Sequence, residues 1–231
     1  MKRLFALVVV ALVAFTPNLL AQTSDIEAKL RAMPTKEYHR GYVGINTVAT
    51  NWDDDLLNAL AADMFPMKSG LTLGYLQSYN VVEGLPVFVE YGANIQYIFG
   101  KASTSLFDEE DSDTYTKART FAVNVPVNAS LRLSFNNDEI AVTPFVGLNF
   151  RYNLAGKQIV GENNAKIETD LFEADEEDGA FKRFQAGLNY GVSVSYDVYT
   201  LSLGRVSDFT NFVDDGKGRF VITTISLGYA F

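Results

Sequence analysis

Hydrophobic and polar residues alternate one for one along three long stretches of the chain. In each stretch one face is apolar, and the other carries mostly Asn, Ser, Gly and Thr; the stretches are 121–135, 140–154 and 184–197. A period of two held over this length predicts a β-strand, because a helix would repeat near every 3.6 residues. These strands exceed the usual soluble strand and match the ~9–11 residues of a tilted strand that crosses a bilayer.

Weaker alternation raises the number of predicted strands to eight. The added segments are 41–48, 69–79, 86–99, 198–208 and 219–231. Short connections fall at 80–85, 136–139 and around Asp197, and long ones at 49–68, 101–119, 156–180 and 209–218. Short turns on one side and long loops on the other are typical of outer-membrane barrels. The pattern predicts an all-β, eight-stranded antiparallel up-and-down transmembrane β-barrel with short periplasmic turns and long acidic extracellular loops.

A soluble barrel such as a lipocalin would also alternate, but it would turn its apolar face inward. The polar face of this chain is poor in Lys and Glu, which does not suit a water-exposed exterior. The apolar face also carries aromatic residues towards both ends, at Phe135, Tyr196, Tyr199, Tyr229 and Phe231 and at Tyr97, Phe99, Phe121, Tyr152 and Phe184. Two aromatic girdles favour a bilayer, since each of its interfaces selects such side chains.

The first 21 residues have the pattern of a secretory signal. Lys2 and Arg3 form a basic region, an apolar run follows from Leu4 to Phe15, and cleavage is predicted after Ala21. The apolar run is too short for a membrane-spanning helix. We therefore predict a signal peptide at 1–21, a periplasmic lead-in at 22–40 and the barrel at 41–231.

The net charge of −9 becomes more negative when Lys2 and Arg3 are removed, and this disfavours nucleic acid as a partner. The chain has no cysteine. Disulfides, a thiolate nucleophile and lipoprotein acylation are therefore excluded. No pattern in the sequence calls for a cofactor.

Acidic residues are concentrated in the long predicted loops. The weak candidates for a divalent cation are Asp108, Glu109, Asp111 and Asp113, because hard cations bind clustered carboxylates. No run matches an EF-hand, so a solvated, repulsive loop surface is the favoured interpretation and no metal site is predicted. In the first loop, Leu56 to Phe65 have helical spacing, which predicts a short amphipathic helix at the membrane surface or over the barrel mouth.

The polar face carries charged residues that would point into the lumen, namely Glu90, Arg132 and Arg151. Glu90 and Arg132 should both lie near the periplasmic end, so we predict that they form a structural pair. An eight-stranded barrel has little room beyond its own side chains. The single histidine, His39, precedes the first predicted strand, where an interfacial or capping role is expected. That position argues against a histidine-dependent enzyme at the outer leaflet.

The Ala21–Gln22 processing site, the eight-strand pattern over 41–231 and the ending Ser226-Leu227-Gly228-Tyr229-Ala230-Phe231 together resemble the outer-membrane β-barrels common in Bacteroidota. That family includes PorT-like proteins, and the pattern is also similar to small OmpX- and OmpW-like barrels. The resemblance implies escort by periplasmic chaperones and insertion by the barrel-assembly machinery. That machinery would recognise the closing strand, here through Ile225, Leu227, Tyr229 and Phe231. PorT-like members take part in type IX secretion, but no residue motif here carries that role over.

The sequence therefore predicts a monomeric integral protein of the outer membrane of a Gram-negative bacterium, in contact with outer-membrane lipid and lipopolysaccharide. We expect a packed polar lumen and no enzymatic activity. The loops would act in a structural, adhesive or secretion-accessory role, with a secretion-system or surface partner. The alternative is a narrow porin- or OmpW-like conduit for small solutes, and an outer-leaflet lipid-modifying enzyme comes third.

Overall fold

A computed structural model describes residues 37–52, 66–82, 85–103, 115–135, 139–162, 165–173, 181–213 and 218–231 of the chain. These parts contain ten strands. Their bounds are β1 Glu37–Asn51, β2 Ser69–Asn80, β3 Val87–Ser103, β4 Tyr115–Leu131, β5 Leu133–Phe135, β6 Ile140–Glu162, β7 Ala165–Asp170, β8 Phe184–Tyr196, β9 Tyr199–Asp208 and β10 Arg219–Ala230. Among the described residues, none belongs to a helix that is long and apolar enough to cross a membrane.

The strands form one closed antiparallel sheet. Neighbours in the chain pair with one another, and β10 pairs with β1 in a register that runs from Arg40 opposite Ala230 to Asn51 opposite Arg219. The short β5 continues β4 beyond Arg132, and β7 folds back on the outer end of β6. The barrel wall is therefore eight-stranded, as the alternation predicts.

The residues that alternate in the sequence lie on opposite sides of this wall. On β10, Ile225 and Leu227 point outward and are 50% and 65% exposed, whereas Ile222 and Ser226 face the lumen and are buried. The same division holds on β4, where Asn124, Pro126 and Asn128 are buried. The apolar face of the sequence thus lies outside, which excludes the lipocalin arrangement.

The first strand begins at Glu37, four residues before the predicted barrel boundary. Tyr38 and Arg40 continue the inward positions of β1, and the register with β2 already includes Glu37 opposite Tyr79. The polar character of this segment concealed the alternation.

Part of the predicted third loop is regular structure. β6 extends to Glu162 and pairs with β7 from Lys157 opposite Asp170 to Glu162 opposite Ala165, so a hairpin projects beyond the barrel rim. β6 also has a bulge where its register with β4 shifts between Phe121 and Ala122. The bulge adds Leu154 to the outward side, where it is exposed.

The β3–β4 ladder is interrupted at Pro126, which has no backbone N–H to donate. The pairing passes from Tyr91 opposite Val127 to Asn94 opposite Asn124 without partners in between. Pro126 faces the lumen, and its other neighbour, Asn149, is still in register with it on β6. The proline ring therefore costs backbone pairing with β3 only, and the pairing with β6 is kept.

Gly147 on β6 allows side chains of the two neighbouring strands to meet over it. Asn128 on β4 and Asn189 on β8 flank it, and the Asn189 amide donates to Asn128 Oδ1 at 2.9 Å. A Cβ at Gly147 would lie 2.0 Å from the Val127 carbonyl oxygen and 2.7 Å from Asn128 Oδ1. Neither contact is sterically acceptable, so this position requires glycine.

We predict that Gly147→Ala lowers the free energy of unfolding by about 1–3 kcal/mol, the usual cost of forcing atoms into a packed site. Denaturant titration of the barrel in phospholipid vesicles measures it. Gly204→Ala is the matched control, because its Cβ would meet only Phe145, at 3.4 Å. Equal effects of the two substitutions would contradict the packing over Gly147.

Candidate functional site

Tyr38 organises the periplasmic end of the lumen. Its hydroxyl donates to Glu90 Oε1 at 2.9 Å, and Ser78 donates to the same oxygen at 3.1 Å. The Arg132 guanidinium lies 5.1 Å from the centroid of the Tyr38 ring. Glu90 is only 1% exposed, so these donors compensate a carboxylate that is removed from water.

The predicted partners Glu90 and Arg132 thus both contact Tyr38. A direct Glu90–Arg132 pair remains a prediction. A double-mutant cycle with Glu90→Gln and Arg132→Gln would measure it, and additive effects on stability would exclude direct coupling.

A polar layer fills the middle of the lumen, built largely from asparagine. Asn124 donates to Asn94 at 2.8 Å and accepts from Asn149 at 3.2 Å. Across the seam between β1 and β10, Asn46 Oδ1 accepts from Thr224 at 2.7 Å and its amide donates to Thr72 at 2.7 Å. These bonds link strands on both sides of the lumen and satisfy groups that the closed wall removes from water.

A cavity of about 90 Å³ remains beside this layer. Arg40, Glu90 and several asparagines line it, and Val206 and Ile222 lie at its upper side. Arg40 is 7% exposed and donates to Ser193 at 3.4 Å. A polar cavity of this size holds a few water molecules but no large solute.

A buried ion pair lies above the cavity. Arg151 on β6 and Asp208 on β9 are each 1% exposed in their side chains, and the Arg151 guanidinium donates to the Asp208 carboxylate. Arg151 Nε also donates to Gln185 at 3.0 Å, and Gln185 accepts from Asn153 at 2.7 Å. These bonds thus join the neighbouring strands β6, β8 and β9 on the inner side of the wall.

The extracellular end of the lumen is filled by a hydrophobic cluster, named the apolar cap. Phe212 is fully buried at its centre, 4.3 Å from Phe220 and 5.1 Å from both Trp52 and Phe181, measured between ring centroids. Its buried members are Val48, Trp52, Met67, Ile98, Ala118, Leu171, Phe181, Phe212, Phe220 and Ile222. Trp52, Met67, Leu171, Phe181 and Phe212 come from the described parts of the connections between strands, which therefore pack against inward residues of the wall at this end.

The Arg151 guanidinium lies 5.1 Å from the centroid of Phe220, so the ion pair and the cap are in direct contact. Polar groups of the lumen are therefore covered by apolar side chains on the extracellular side. This arrangement favours a closed interior over an open channel.

The outward face is that of a protein in a bilayer. Apolar side chains cover it between the two predicted aromatic girdles, and Phe231, Tyr199, Phe184 and Tyr152 are about half exposed or more. A closed antiparallel barrel with an apolar exterior and a hydrogen-bonded polar interior is the form in which strands cross a membrane. The described part of the chain accordingly has the form of an integral membrane protein that crosses the bilayer as strands.

His39 lies on this outward face at the periplasmic end. Its ring stacks on Tyr75 and Phe231 at 5.9 and 6.1 Å between centroids, its Nδ1 is hydrogen-bonded to the Tyr75 hydroxyl, and its Nε2 lies 3.2 Å from Glu37. The His39 ring therefore lies at the periplasmic interface of the membrane. The predicted assembly residues Ile225, Leu227, Tyr229 and Phe231 are all exposed on this side of the wall. Their recognition remains a prediction.

The candidate metal residues Asp108, Glu109, Asp111 and Asp113 lie outside the described residues, as does the predicted helix at 56–65. Within the described ranges no group of three or more metal-ligating side chains comes together.

One lumen residue, Arg40, was assigned by the sequence to the lead-in, yet it is buried in the wall. Asp208 ends the predicted strand 198–208 and is also buried, although the sequence named neither residue as a lumen charge. Asp208 continues the inward series of Thr200, Ser202 and Val206 on β9, and Arg40 precedes Tyr42 and Asn46 by even steps on β1. Extending the alternation through charged positions would have found both.

No protein-family model matches the sequence, and no curated protein does. Among solved structures, the chain is similar to the attachment invasion locus protein Ail of Yersinia pestis, with 11% identity and a TM-score of 0.37 over 85% of this chain and 100% of that one. Neisserial surface protein A has 11% identity and a TM-score of 0.39, over 85% and 98%. A major outer membrane protein of Thermus thermophilus has 14% identity and a TM-score of 0.47, over 85% and 100%. Identities and TM-scores this low do not assign the role of any of these proteins to this chain.

We predict that Asp208→Ala destabilises the barrel by about 3–5 kcal/mol, because it leaves the Arg151 cation buried without its partner. The double variant Arg151→Met/Asp208→Leu should recover most of that loss, since no charge remains buried. The single tryptophan, Trp52, lies in the apolar cap and reports unfolding by fluorescence. A single variant as stable as the wild type, or a double variant no better than the single, would contradict the role of the pair.

Proposed function

We propose that the chain is a non-enzymatic outer-membrane barrel that does not conduct and that acts through its extracellular part. The observation that carries this proposal is the apolar cap, where connections and inward strand residues pack together around Phe212, which is 0% exposed. Directly below it, the buried Arg151–Asp208 pair lies on the inner side of β6, β8 and β9, with the Arg151 guanidinium against Phe220. An aqueous path would have to pass both layers, and neither is mobile without losing buried contacts.

The role proposed for the extracellular part is structural, adhesive or secretion-accessory. The β6–β7 hairpin supports this, because it projects beyond the rim and its side chains Ala165 to Thr169 are exposed. The proposed partner is either a component of a secretion system, as the resemblance to PorT-like barrels of Bacteroidota suggests, or a surface partner.

A narrow conduit for small solutes is the second candidate function. The cavity of about 90 Å³ favours it, since Arg40 and Glu90 place opposite charges on its lining. The conduit would require the cap to open.

We predict that wild-type protein refolded into planar bilayers gives no steady single-channel current. Phe212→Ala/Phe220→Ala, which removes two rings from the cap, should give measurable conductance. Phe184→Ala/Phe209→Ala is the matched control, because it removes two rings that are 53% and 55% exposed. Steady current from the wild type would favour the conduit. If the cap variant also gave no current, the barrier to conduction would lie elsewhere in the lumen.

We also predict that mature protein, crosslinked in outer membranes and purified in mild detergent, recovers a specific partner through the hairpin. Joining Lys157 to Asp170 by a two-residue turn removes residues 158–169, which include the β6 partners of Tyr115 to Ala118 on β4, so the shortened protein must also keep the heat-dependent gel mobility of the folded barrel. The shortened protein should lose the partner, whereas substitutions in the periplasmic turn at Val81 and Val82 should keep it. Recovery that is independent of the hairpin would refute its role.

A further inference from the structure

Four basic side chains lie together on the outer surface of three neighbouring strands. Lys101 on β3 is directly opposite Lys117 on β4, and Arg119 on β4 is directly opposite Lys157 on β6. All four are exposed, and together they form the basic patch. Like charges directly opposite each other destabilise a strand pair. Glu168 lies against the Arg119–Lys157 pair, so the Lys101–Lys117 pair is the one that an anion from outside would relieve.

The basic patch begins where the extracellular aromatic girdle ends. On β3 the outward residues are Tyr97, Phe99 and then Lys101; the rings of Tyr97 and Phe99 lie 5.6 Å apart. On β4 the outward order towards the extracellular side is Phe121, Arg119 and Lys117. Aromatic rings of barrels lie at the boundary between acyl chains and headgroups. The next outward position along each strand therefore lies at headgroup level.

Contacts among the described residues hold these side chains, and one carboxylate, that of Glu168, acts on Lys157 and Arg119. The ammonium groups of Lys101 and Lys117 lie 5.0 and 4.8 Å from the centroid of the same Tyr115 ring. Lys157 pairs with Glu168 on the hairpin, and this hydrogen-bonded cation lowers the pKa of Glu168. In the described part of the chain, no carboxylate lies within ion-pair distance of Lys101, Lys117 or Arg119.

We propose that the basic patch binds phosphate groups on the headgroups of outer-leaflet glycolipid. Lipid is favoured over a soluble anion because the four side chains point away from the barrel axis at headgroup depth. A soluble ligand would instead be reached from the hairpin or loop tips. Phosphate oxygens accept hydrogen bonds from ammonium and guanidinium groups, and basic groups at an anionic membrane surface add to binding one by one. This site is independent of whether the lumen conducts.

The far side of the barrel provides a matched control. Arg205 on β9 and Arg219 on β10 are outward-facing cations on strands diametrically opposite β3 and β4 in the ring. Arg205 lies opposite Tyr190 and Thr223, and Arg219 donates to Asn211 at 3.2 Å. Neither lies opposite a second cation. Removing both charges therefore changes the net charge by the same amount as removing those of Lys101 and Lys117, but leaves the basic patch intact.

The test is native mass spectrometry of the full mature protein in neutral detergent, with bis-phosphorylated lipid A as the probe. Dephosphorylated lipid A and inorganic phosphate are the comparison ligands. Lys101→Gln/Lys117→Gln should weaken binding of phosphorylated lipid A about 30-fold, as expected for two basic groups at an anionic surface. Lys101→Arg/Lys117→Arg should retain it, and Arg205→Gln/Arg219→Gln should resemble the wild type. Inorganic phosphate should compete poorly.

The melting temperature is a second measurement, and the effect of the substitutions on it should differ in sign between detergent and bilayers. In zwitterionic detergent the Lys101→Gln/Lys117→Gln variant should melt at the same or a higher temperature, because cross-strand repulsion is relieved. In bilayers containing phosphorylated lipid A it should melt lower than the wild type. The proposal is overturned if dephosphorylated lipid A binds equally well, if the far-side variant loses as much affinity, or if a soluble polyanion binds more tightly than the lipid.

Discussion

Closure of the sheet by β1 and β10 is the constraint on which the rest of the structure depends. In hydrocarbon, an unpaired backbone N–H or C=O has no water to bind, so a sheet can cross the membrane only without edges. The register from Arg40 opposite Ala230 to Asn51 opposite Arg219 joins the first and last strands over nearly the full length of each. Asn46 reinforces this seam from the lumen by bonding both Thr224 and Thr72. The residues at the end of the chain therefore complete the fold that every other strand requires.

Closure also determines what the interior can be. The inward half of every strand is enclosed, so its polar groups need partners within the lumen. The molecule meets this need in layers, with Tyr38 and Glu90 at the periplasmic end, asparagines in the middle and Arg151 with Asp208 above. The apolar cap then replaces polar groups at the extracellular end. The same side chains that satisfy one another fill the space that a solute would need. The packing of the lumen and the role proposed for the part outside the barrel thus rest on the same arrangement.

The architecture was predictable because inside and outside positions differ at every step of a strand. Strand number, the two sides of the wall and the short turn at Asp197, whose φ is 51°, follow from local sequence. The start of β1 at Glu37 was missed because charged residues at inward positions, such as Arg40, resemble a loop. The apolar cap could not be predicted, since it joins Trp52, Phe181 and Phe212 from connections far apart in sequence. The opposed cations at Lys101 and Lys117 likewise become neighbours only through the strand register.

The central claim is that the apolar face of each strand contacts lipid while the polar face is enclosed. Because the chain has no cysteine, single cysteines introduced along β10 can carry a spin label one at a time. The label should be introduced at Thr224, Ile225, Ser226 and Leu227 in turn, in protein folded into bilayers. The account predicts that collisions with membrane-dissolved oxygen are frequent at 225 and 227 and rare at 224 and 226. Contact of a water-soluble relaxation agent at 225 and 227, or absence of alternation, would contradict it.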